Sequence, residues 1–113
     1  MCNNLIKINK KDVEQVLTNH GIGIKQIFLS KDSCRSNLMQ VAYGSLQKDE
    51  KIEEHAHSTM EEFFFFETGE TNFFIESEKY VCKRGDFLMI PAGAKHYMEA
   101  KSNTAFLYWG ISI

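Results

Sequence analysis

The residues best suited to chemistry are histidines and glutamates in the central and C-terminal parts of the chain. His55 and His57 are separated by one residue, Glu61 and Glu62 follow them, and His96 comes after a Pro-Ala-Gly turn. Successive side chains of a β-strand point to opposite faces, so both imidazoles of a His-x-His pair project to the same side. A carboxylate from either glutamate can return on the next strand. Imidazole nitrogens with a carboxylate suit a divalent ion such as manganese, iron, nickel or zinc.

A single histidine is more often a satisfied polar residue than a metal ligand, and the His-x-His pair alone leaves both interpretations open. The fourth histidine, His20, illustrates the simpler one. The spacing predicts a helix from Asn9 to His20, which Asn9 can cap and Gly21 can end, with apolar positions at helical intervals: Val13, Val16 and Leu17. His20 is then interpreted as a helix-end histidine that interacts favourably with the helix dipole.

The elements that must position the candidate ligands are short β-strands. After the helix, runs rich in β-branched and aromatic residues alternate with turn-forming residues, and the chain has a single proline. The charged stretch 47–54 predicts a loop into the first histidine pair. Such a pattern indicates an all-β sandwich or barrel with a helical appendage. The predicted strands are Ile24–Leu29, Leu38–Leu46, Phe63–Phe66, Phe73–Ile75, Tyr80–Cys82, Phe87–Ile90 and Ala105–Ile113.

Length and composition limit the possible function classes. A chain of 113 residues with 43% hydrophobic content fits one domain, divided into an N-terminal strand and helix extension (1–30) and a motif-bearing barrel (38–113). The net charge of −2 gives no basic field for nucleic acid. The sequence carries no signal-peptide pattern and no apolar run of the roughly 20 residues that span a bilayer. We therefore expect a soluble, cytoplasmic protein without nucleic-acid or membrane partners.

The cysteines are three in number and far apart, which disfavours a disulfide framework and a Cys-x-x-Cys zinc site. We interpret Cys2, Cys34 and Cys82 as reduced thiols. Cys82 lies in an apolar strand, and we expect it to be a small core residue.

Two segments resemble the sequence motifs of the cupin family. The segment from His55 to Gly69 resembles the first motif, H-x-H, three or four residues, E, six residues, G. The segment from Gly85 to His96 resembles the second motif, G, five residues, P-x-G, two residues, H. Every defining position is filled in both motifs, and the resemblance extends over residues 44–100.

Two positions depart from the family pattern. Asp49 stands where a glycine is expected six residues before the first histidine. Ala100 stands where an asparagine is often found, four residues after the last histidine. Neither position is a metal ligand. Because of these departures, the family pattern does not predict the shape of the pocket on its substrate side.

The resemblance implies a jelly-roll cupin barrel, or double-stranded β-helix, with one mononuclear divalent-metal site. The implied ligands are His55, His57, Glu62 and His96. Glu62 is preferred over Glu61 because it alone is separated from Gly69 by the six intervening residues of the motif. It also shares strand parity with Phe64 and Phe66, which are expected to face inward and line the pocket.

Other aromatic and sulfur-containing side chains are candidates for the pocket wall, with ordinary core packing as the alternative: Met39, Met89, Met98, Tyr43, Tyr108 and Trp109. The outward rings of Phe63 and Phe65 need a cover. The predicted helix could supply it, or a second subunit could. Because small cupins are commonly dimers, the resemblance favours a homodimer, which would bury these rings or the apolar residues Leu5, Ile6 and Ile8.

Three functions are compatible with these features. The first is a metal-dependent enzyme, such as a dioxygenase, isomerase or epimerase, acting on a small oxygenated molecule of the hydroxy-acid, keto-acid or sugar type. The second is a non-catalytic cupin that binds or senses a small ligand. The third, a purely structural subunit, is disfavoured because a complete ligand set is poorly explained by stability alone.

Overall fold

The computed structural model describes residues 5–113, which form an all-β barrel of ten strands preceded by one 3₁₀ helix, Lys10–Asp12. No helix in these residues is long and apolar enough to cross a membrane. The strands are β1 (Val16–Leu17), β2 (Ile24–Ser30), β3 (Leu38–Leu46), β4 (Lys51–His55), β5 (Met60–Thr68), β6 (Glu70–Ile75), β7 (Glu78–Lys83), β8 (Phe87–Ile90), β9 (His96–Ala100) and β10 (Thr104–Ser112).

The strands are arranged in two facing antiparallel sheets. The larger sheet has six strands in the order β1-β2-β3-β10-β5-β8, and the smaller has four in the order β4-β9-β6-β7. Neighbours in sequence are therefore often in different sheets, as in a jelly roll. This arrangement confirms the predicted fold class. Of the strands predicted from sequence, those at 38–46 and 87–90 have the predicted bounds, and the others are present with shifted ends.

The core lies between the sheets and is rich in aromatic rings. Phe64 and Phe66 of β5 are buried on the inner face, as their strand parity predicted. Phe73 of β6 meets both from the opposite sheet, with ring centroids 5.1 Å and 5.9 Å away in edge-to-face contacts. Such pairs add to the roughly 1.5–3 kcal/mol that burial of each ring contributes. Cys82 is buried beside them, as predicted, and Cys2 lies outside the described residues.

The helix predicted over residues 9–20 is wrong beyond its first turn. Asn9 does act as a cap, accepting a hydrogen bond from the Lys11 N–H at 3.0 Å, but Val13 is already extended with φ −96° and ψ 128°. The Gln26 side chain then donates to the carbonyls of Lys10 and Val13 at 2.9 and 2.8 Å. These tertiary bonds, with β-branched residues in a segment too short to be a stable helix, favour the extended chain.

The loop predicted over residues 47–54 is correct only in its first half. From Lys51 onward the chain forms β4, which pairs with β9 and buries Ile52 opposite Met98. An irregularity in the pairing between Ile52 and His55 shifts the register. Because of this bulge, Ile52 and His55 both face the barrel interior although they are separated by an odd number of positions. Pairing with a partner strand outweighed the charged composition of the segment.

The departure at Asp49 has a simple structural meaning. Its φ of 74° lies in the left-handed region, where glycine is usual and aspartate is among the better tolerated of the other residues. The Asp49 N–H donates to the Ala100 carbonyl at 2.8 Å, and the Ala100 N–H donates to Glu50 at 2.9 Å. The turn that leads into β4 therefore keeps a backbone shape suited to glycine and is tied to the end of β9.

Candidate metal centre

Four side chains from different elements converge inside the barrel. His55 ends β4, His57 lies in the loop that follows, Glu62 is on β5 and His96 begins β9. One ligand atom from each lies within 4.8 Å of the other three. Two ligand atoms on opposite sides of an ion, each bonded at about 2.1 Å, lie about 4.2 Å apart. Small movements of these side chains would therefore let all four ligand atoms bind one ion. Glu61 lies outside this group.

The two histidines that lie on strands are side by side on neighbouring strands of the smaller sheet. His55 and His96 are paired residues of β4 and β9, and their ring centroids lie 4.3 Å apart. His57 is beyond the end of β4, so strand alternation does not account for its position. Its carbonyl instead accepts a hydrogen bond from the Gly93 N–H at 2.8 Å. Gly93 has a φ of 85°, and this turn ties the His57 loop to the segment just before His96.

Backbone carbonyls fix which ring nitrogen of two histidines is free. Nδ1 of His55 lies 2.8 Å from the Glu53 carbonyl oxygen, and Nδ1 of His96 lies 2.9 Å from the Ala94 carbonyl oxygen. A carbonyl can only accept, so each Nδ1 carries the proton and each neutral ring presents the lone pair of Nε2. Such outer contacts are typical of metal-ligating histidines, whose tautomer and orientation they set.

Glu62 lies at the centre of the group. Its Oε1 is 3.2 Å from Nε2 of His96 and 3.4 Å from Nε2 of His57. Glu62 Oε1 and His96 Nε2 are both buried. Despite their proximity, neither makes a hydrogen bond of acceptable geometry with any residue that the structure describes. With the proton of His96 on Nδ1, these two atoms face each other as acceptors. A cation between them satisfies both, so the residues present fit a divalent metal ion.

The electrostatics of the group follow from burial and mutual proximity. Burial lowers the pKa of His55, with His96 and His20 adding to the effect. Burial also acts to lower the pKa of His96, but the Glu62 carboxylate and the Ala94 carbonyl together raise it above its ordinary value. Burial alone would raise the pKa of Glu62, and the neighbouring imidazoles lower it instead. The carboxylate is therefore ionised at neutral pH, as a metal ligand must be.

The group opens onto a cavity of about 270 Å³ inside the barrel. Of the residues predicted to line it, Phe64, Met98 and Tyr108 do so, as does Met39. The expectation needs correction for Phe66, which packs in the core behind the wall, and for residues of the outer face, whose strand parity is opposite to that of Glu62: Tyr43, Met89 and Trp109. Tyr43 instead donates its hydroxyl to Glu67 at 3.0 Å.

Three cavity residues were not anticipated from the sequence. His20, interpreted as a helix-end residue, lies beside the group with its ring centroid 4.3 Å from that of His55. Lys25 of β2 and Gln40 of β3 line the wall, and their side chains are in contact at 3.3 Å. Alternation within β2 and β3 could have indicated inward polar side chains at these two positions. For His20 the sequence held no signal, since only the short β1 and β2 pairing brings it to the cavity.

A family comparison agrees with this geometry. The model of the Cupin domain family matches residues 42–111. The chain belongs to the cupin family. The matched segment of this cupin includes all four converging residues.

Curated relatives include two acireductone dioxygenases. That of Pseudomonas savastanoi pv. phaseolicola is 24% identical, with 91% of this cupin and 55% of the relative covered. That of Pseudomonas fluorescens is 26% identical, with coverages of 87% and 52%. The chain thus spans about half the length of the curated relatives it matches.

Solved structures show the same fold at low sequence identity. A predicted oxalate decarboxylase from Thermotoga maritima superposes with a TM-score of 0.85 at 20% identity, covering 96% of this cupin and all (100%) of that chain. KdgF from Halomonas sp. gives a TM-score of 0.79 at 14% identity, with coverages of 97% and 94%. An RmlC-like cupin from Shewanella frigidimarina gives 0.81 at 15%, with coverages of 100% and 96%.

Proposed function

We propose that this cupin is a mononuclear metal-dependent enzyme of the dioxygenase class that acts on a small oxygenated molecule of the hydroxy-acid or keto-acid type. One observation carries the proposal. His55, His57, Glu62 and His96 converge at the cavity, and the buried Glu62 Oε1 and His96 Nε2 have no hydrogen-bond partner within residues 5–113. The acireductone dioxygenase relatives support an oxidative reaction in preference to isomerisation.

The chain's own residues would divide the work between holding, orienting and excluding water. The three imidazoles and the Glu62 carboxylate would hold manganese, iron, nickel or zinc, which acts as a Lewis acid and template for substrate oxygens. Apolar side chains form much of the surrounding wall and keep bulk water away: Ile52, Phe64, Phe73, Met98 and Phe106. Two coordination positions of an octahedral ion would remain open to ligands that enter through the cavity.

Tyr108 is the one tyrosine on the cavity wall among the residues that the structure describes. It lines the cavity, stacks on Phe64 with ring centroids 5.6 Å apart, and makes no hydrogen bond within residues 5–113. Burial, with a contribution from Glu62, raises its pKa to about 12. The hydroxyl therefore keeps its proton and is suited to donate a hydrogen bond to a substrate oxygen.

The experiment begins with elemental analysis of protein purified without chelator, for which we expect about one transition-metal ion per chain. Protein reconstituted separately with iron, nickel, manganese or zinc is then mixed with an electron-rich enediol in an oxygen electrode. A dioxygenase consumes oxygen with a redox-active ion and not with zinc. Substrate turnover without oxygen uptake would instead support an isomerase.

A non-catalytic ligand-binding or sensing cupin is the second candidate function. It is favoured by the scarcity of acid-base groups, since Glu62 is the only carboxylate among the described residues that line the cavity. Binding of the enediol without turnover under any metal or oxygen condition would support this alternative.

We further propose that the protein is a homodimer. The predicted helix that could have covered Phe63 and Phe65 is not formed, and the N-terminal segment instead lies over Tyr43, with Lys10 Nζ 4.6 Å from its ring centroid. An apolar patch remains exposed near the β8 edge: Phe65, Phe87 and Met89 are 40%, 58% and 42% exposed. A second copy, pairing the same patch about a two-fold axis, is the proposed cover.

A further inference from the structure

Lys25 is an unusual residue for the interior of a barrel. It faces inward from β2, opposite Gly44 of β3, and is only 6% exposed. Its ammonium contacts two neutral amide oxygens, that of Gln40 at 3.3 Å and that of Asn19 at 3.5 Å. Both distances are longer than a typical charge-assisted hydrogen bond of about 2.7–2.9 Å. Burial lowers the pKa of Lys25 because it disfavours the charged form.

The ammonium has no counter-ion among the residues that the structure describes. No ion pair joins Lys25 to a carboxylate within residues 5–113. The only carboxylate of the cavity wall in that range belongs to Glu62, which is surrounded by imidazoles. A buried charge without a partner is costly, and an apolar side chain at this strand position would avoid the cost. The lysine is better explained by a ligand that supplies the missing charge.

The charge of the loaded cavity gives the ligand's sign. A divalent ion contributes two positive charges, Glu62 removes one and Lys25 adds one, while neutral imidazoles add none. The cavity would thus hold a net charge of about +2 behind an apolar wall. An anion that binds the metal at one end and meets Lys25 at the other neutralises this charge.

We propose that Lys25, positioned by Asn19 and Gln40, is the recognition site for a carboxylate of the ligand, so that the cavity takes a small organic acid which also chelates the metal. This inference rests on the proposed function for its metal-binding end. One ammonium beside two side-chain amides, whose NH₂ groups are further donors, matches a two-oxygen monoanion better than a phosphate. At about 30 Å³ per water-sized group, the 270 Å³ cavity has room for on the order of nine non-hydrogen atoms.

The test uses hydroxamic acids, which chelate metal ions through two adjacent oxygens. The metal-loaded full chain is titrated with ω-carboxy hydroxamates of two, three and four methylene groups and with their uncharged alkyl counterparts. We expect one arm length at which the carboxylate raises affinity tenfold or more. In Lys25→Met this preference should fall to within twofold, with metal content and affinity for the uncharged probe unchanged.

A second variant keeps the lysine but supplies an internal anion. Gln40→Glu is isosteric and places a carboxylate beside the ammonium, so it should also abolish the preference, and it decides the matter if Lys25→Met does not fold. A wild type without preference at any arm length, or a Lys25→Met variant that retains it, would overturn the proposal. Tighter binding of a phosphonate counterpart would overturn the assignment to a carboxylate.

The two ends of the ligand can be tested separately. If wild-type protein takes up no metal and binds no uncharged hydroxamate, the proposed function fails. Glutarate titrated into metal-stripped protein, monitored by calorimetry, then tests Lys25 alone. Binding that is lost in Lys25→Met supports the carboxylate site, and equal binding or none in the two proteins refutes it.

Discussion

The assignment of the carboxylate ligand can be tested by exchanging two adjacent glutamates for glutamine. Glu62 Oε1 lies 3.2 Å and 3.4 Å from two imidazole nitrogens, whereas Glu61 is on the opposite face of β5, paired with Ile111. Each substitution removes one negative charge at the same place in the sequence and changes the side-chain volume very little. Glu61→Gln is thus a matched control for Glu62→Gln.

The expected magnitude follows from the number of ligands. Structural zinc sites bind with about 10–16 kcal/mol, which is roughly 2.5–4 kcal/mol for each of four ligands. At about 1.4 kcal/mol per tenfold change, loss of one ligand weakens binding by on the order of 100- to 1,000-fold. Glutamine keeps a carbonyl oxygen that coordinates weakly, so we expect Glu62→Gln to lie near 100-fold and Glu61→Gln to stay within threefold of the wild type.

Metal affinity is measured by competition with a chromophoric chelator at pH 7.5. A second readout does not involve metal. In metal-stripped protein, Glu62→Gln should lower the pKa of His96, followed by NMR, because the carboxylate raises it in the wild type. Equal losses of metal affinity in the two variants, or a larger loss in Glu61→Gln, would refute the register of β5 on which the assignment depends.

Three further outcomes are expected. Metal content should be full at pH 7.5 and fall as the pH drops below about 6.5, because imidazole ligands must be neutral to bind and the raised pKa of His96 favours its protonation. Elemental analysis after dialysis checks this, and retention of the metal at pH 4 would contradict it. Phe87→Glu should convert the proposed dimer to a monomer in light scattering, whereas Tyr80→Glu, an exposed ring on β7, should not. Asp49→Gly should raise the free energy of unfolding by about 0.5–1 kcal/mol and Asp49→Val should lower it, because the left-handed backbone strains every residue but glycine; chemical denaturation measures both.

Local patterns predicted the strands well because alternation records which side chains face the core. Phe64 and Phe66 are buried, while Phe63 and Phe65 face outward, as the parity of the Phe run indicated. The misassigned segments are those whose structure depends on distant partners. The pattern of residues 13–17 predicts a helix. The segment is extended instead because the Gln26 side chain donates hydrogen bonds to the carbonyls of Lys10 and Val13.

The resemblance to the cupin motifs identified the four converging residues, but strand alternation does not explain the position of His57. The strand carrying the His-x-His pair ends at His55, so His57 owes its position to the Gly93 turn and not to alternation. The cupin motifs include His57 at the correct spacing, but they do not show which contact holds it at the site. Lys25 and His20 belong to no motif, and only the assembled sheet brings them to the cavity.

Two glycines at inner positions of the large sheet lie on the cavity wall and let neighbouring side chains pack closely against the sheet. Gly44 and Gly110 face inward, where a Cβ atom would lie 2.7 Å from the Phe106 ring and 2.3 Å from the sulfur of Met60. A dry void of 270 Å³, at about 24 cal/mol per Å³, would cost on the order of 6 kcal/mol. That is comparable with the whole stability of a typical domain, about 5–15 kcal/mol. Such a space is tolerable only if polar groups let water or a ligand fill it, and Lys25 and Gln40 lie on its wall beside the metal centre. The polar groups on the cavity wall and the buried ammonium, which has no counter-ion within residues 5–113, therefore have one explanation, a site shaped for an anionic ligand.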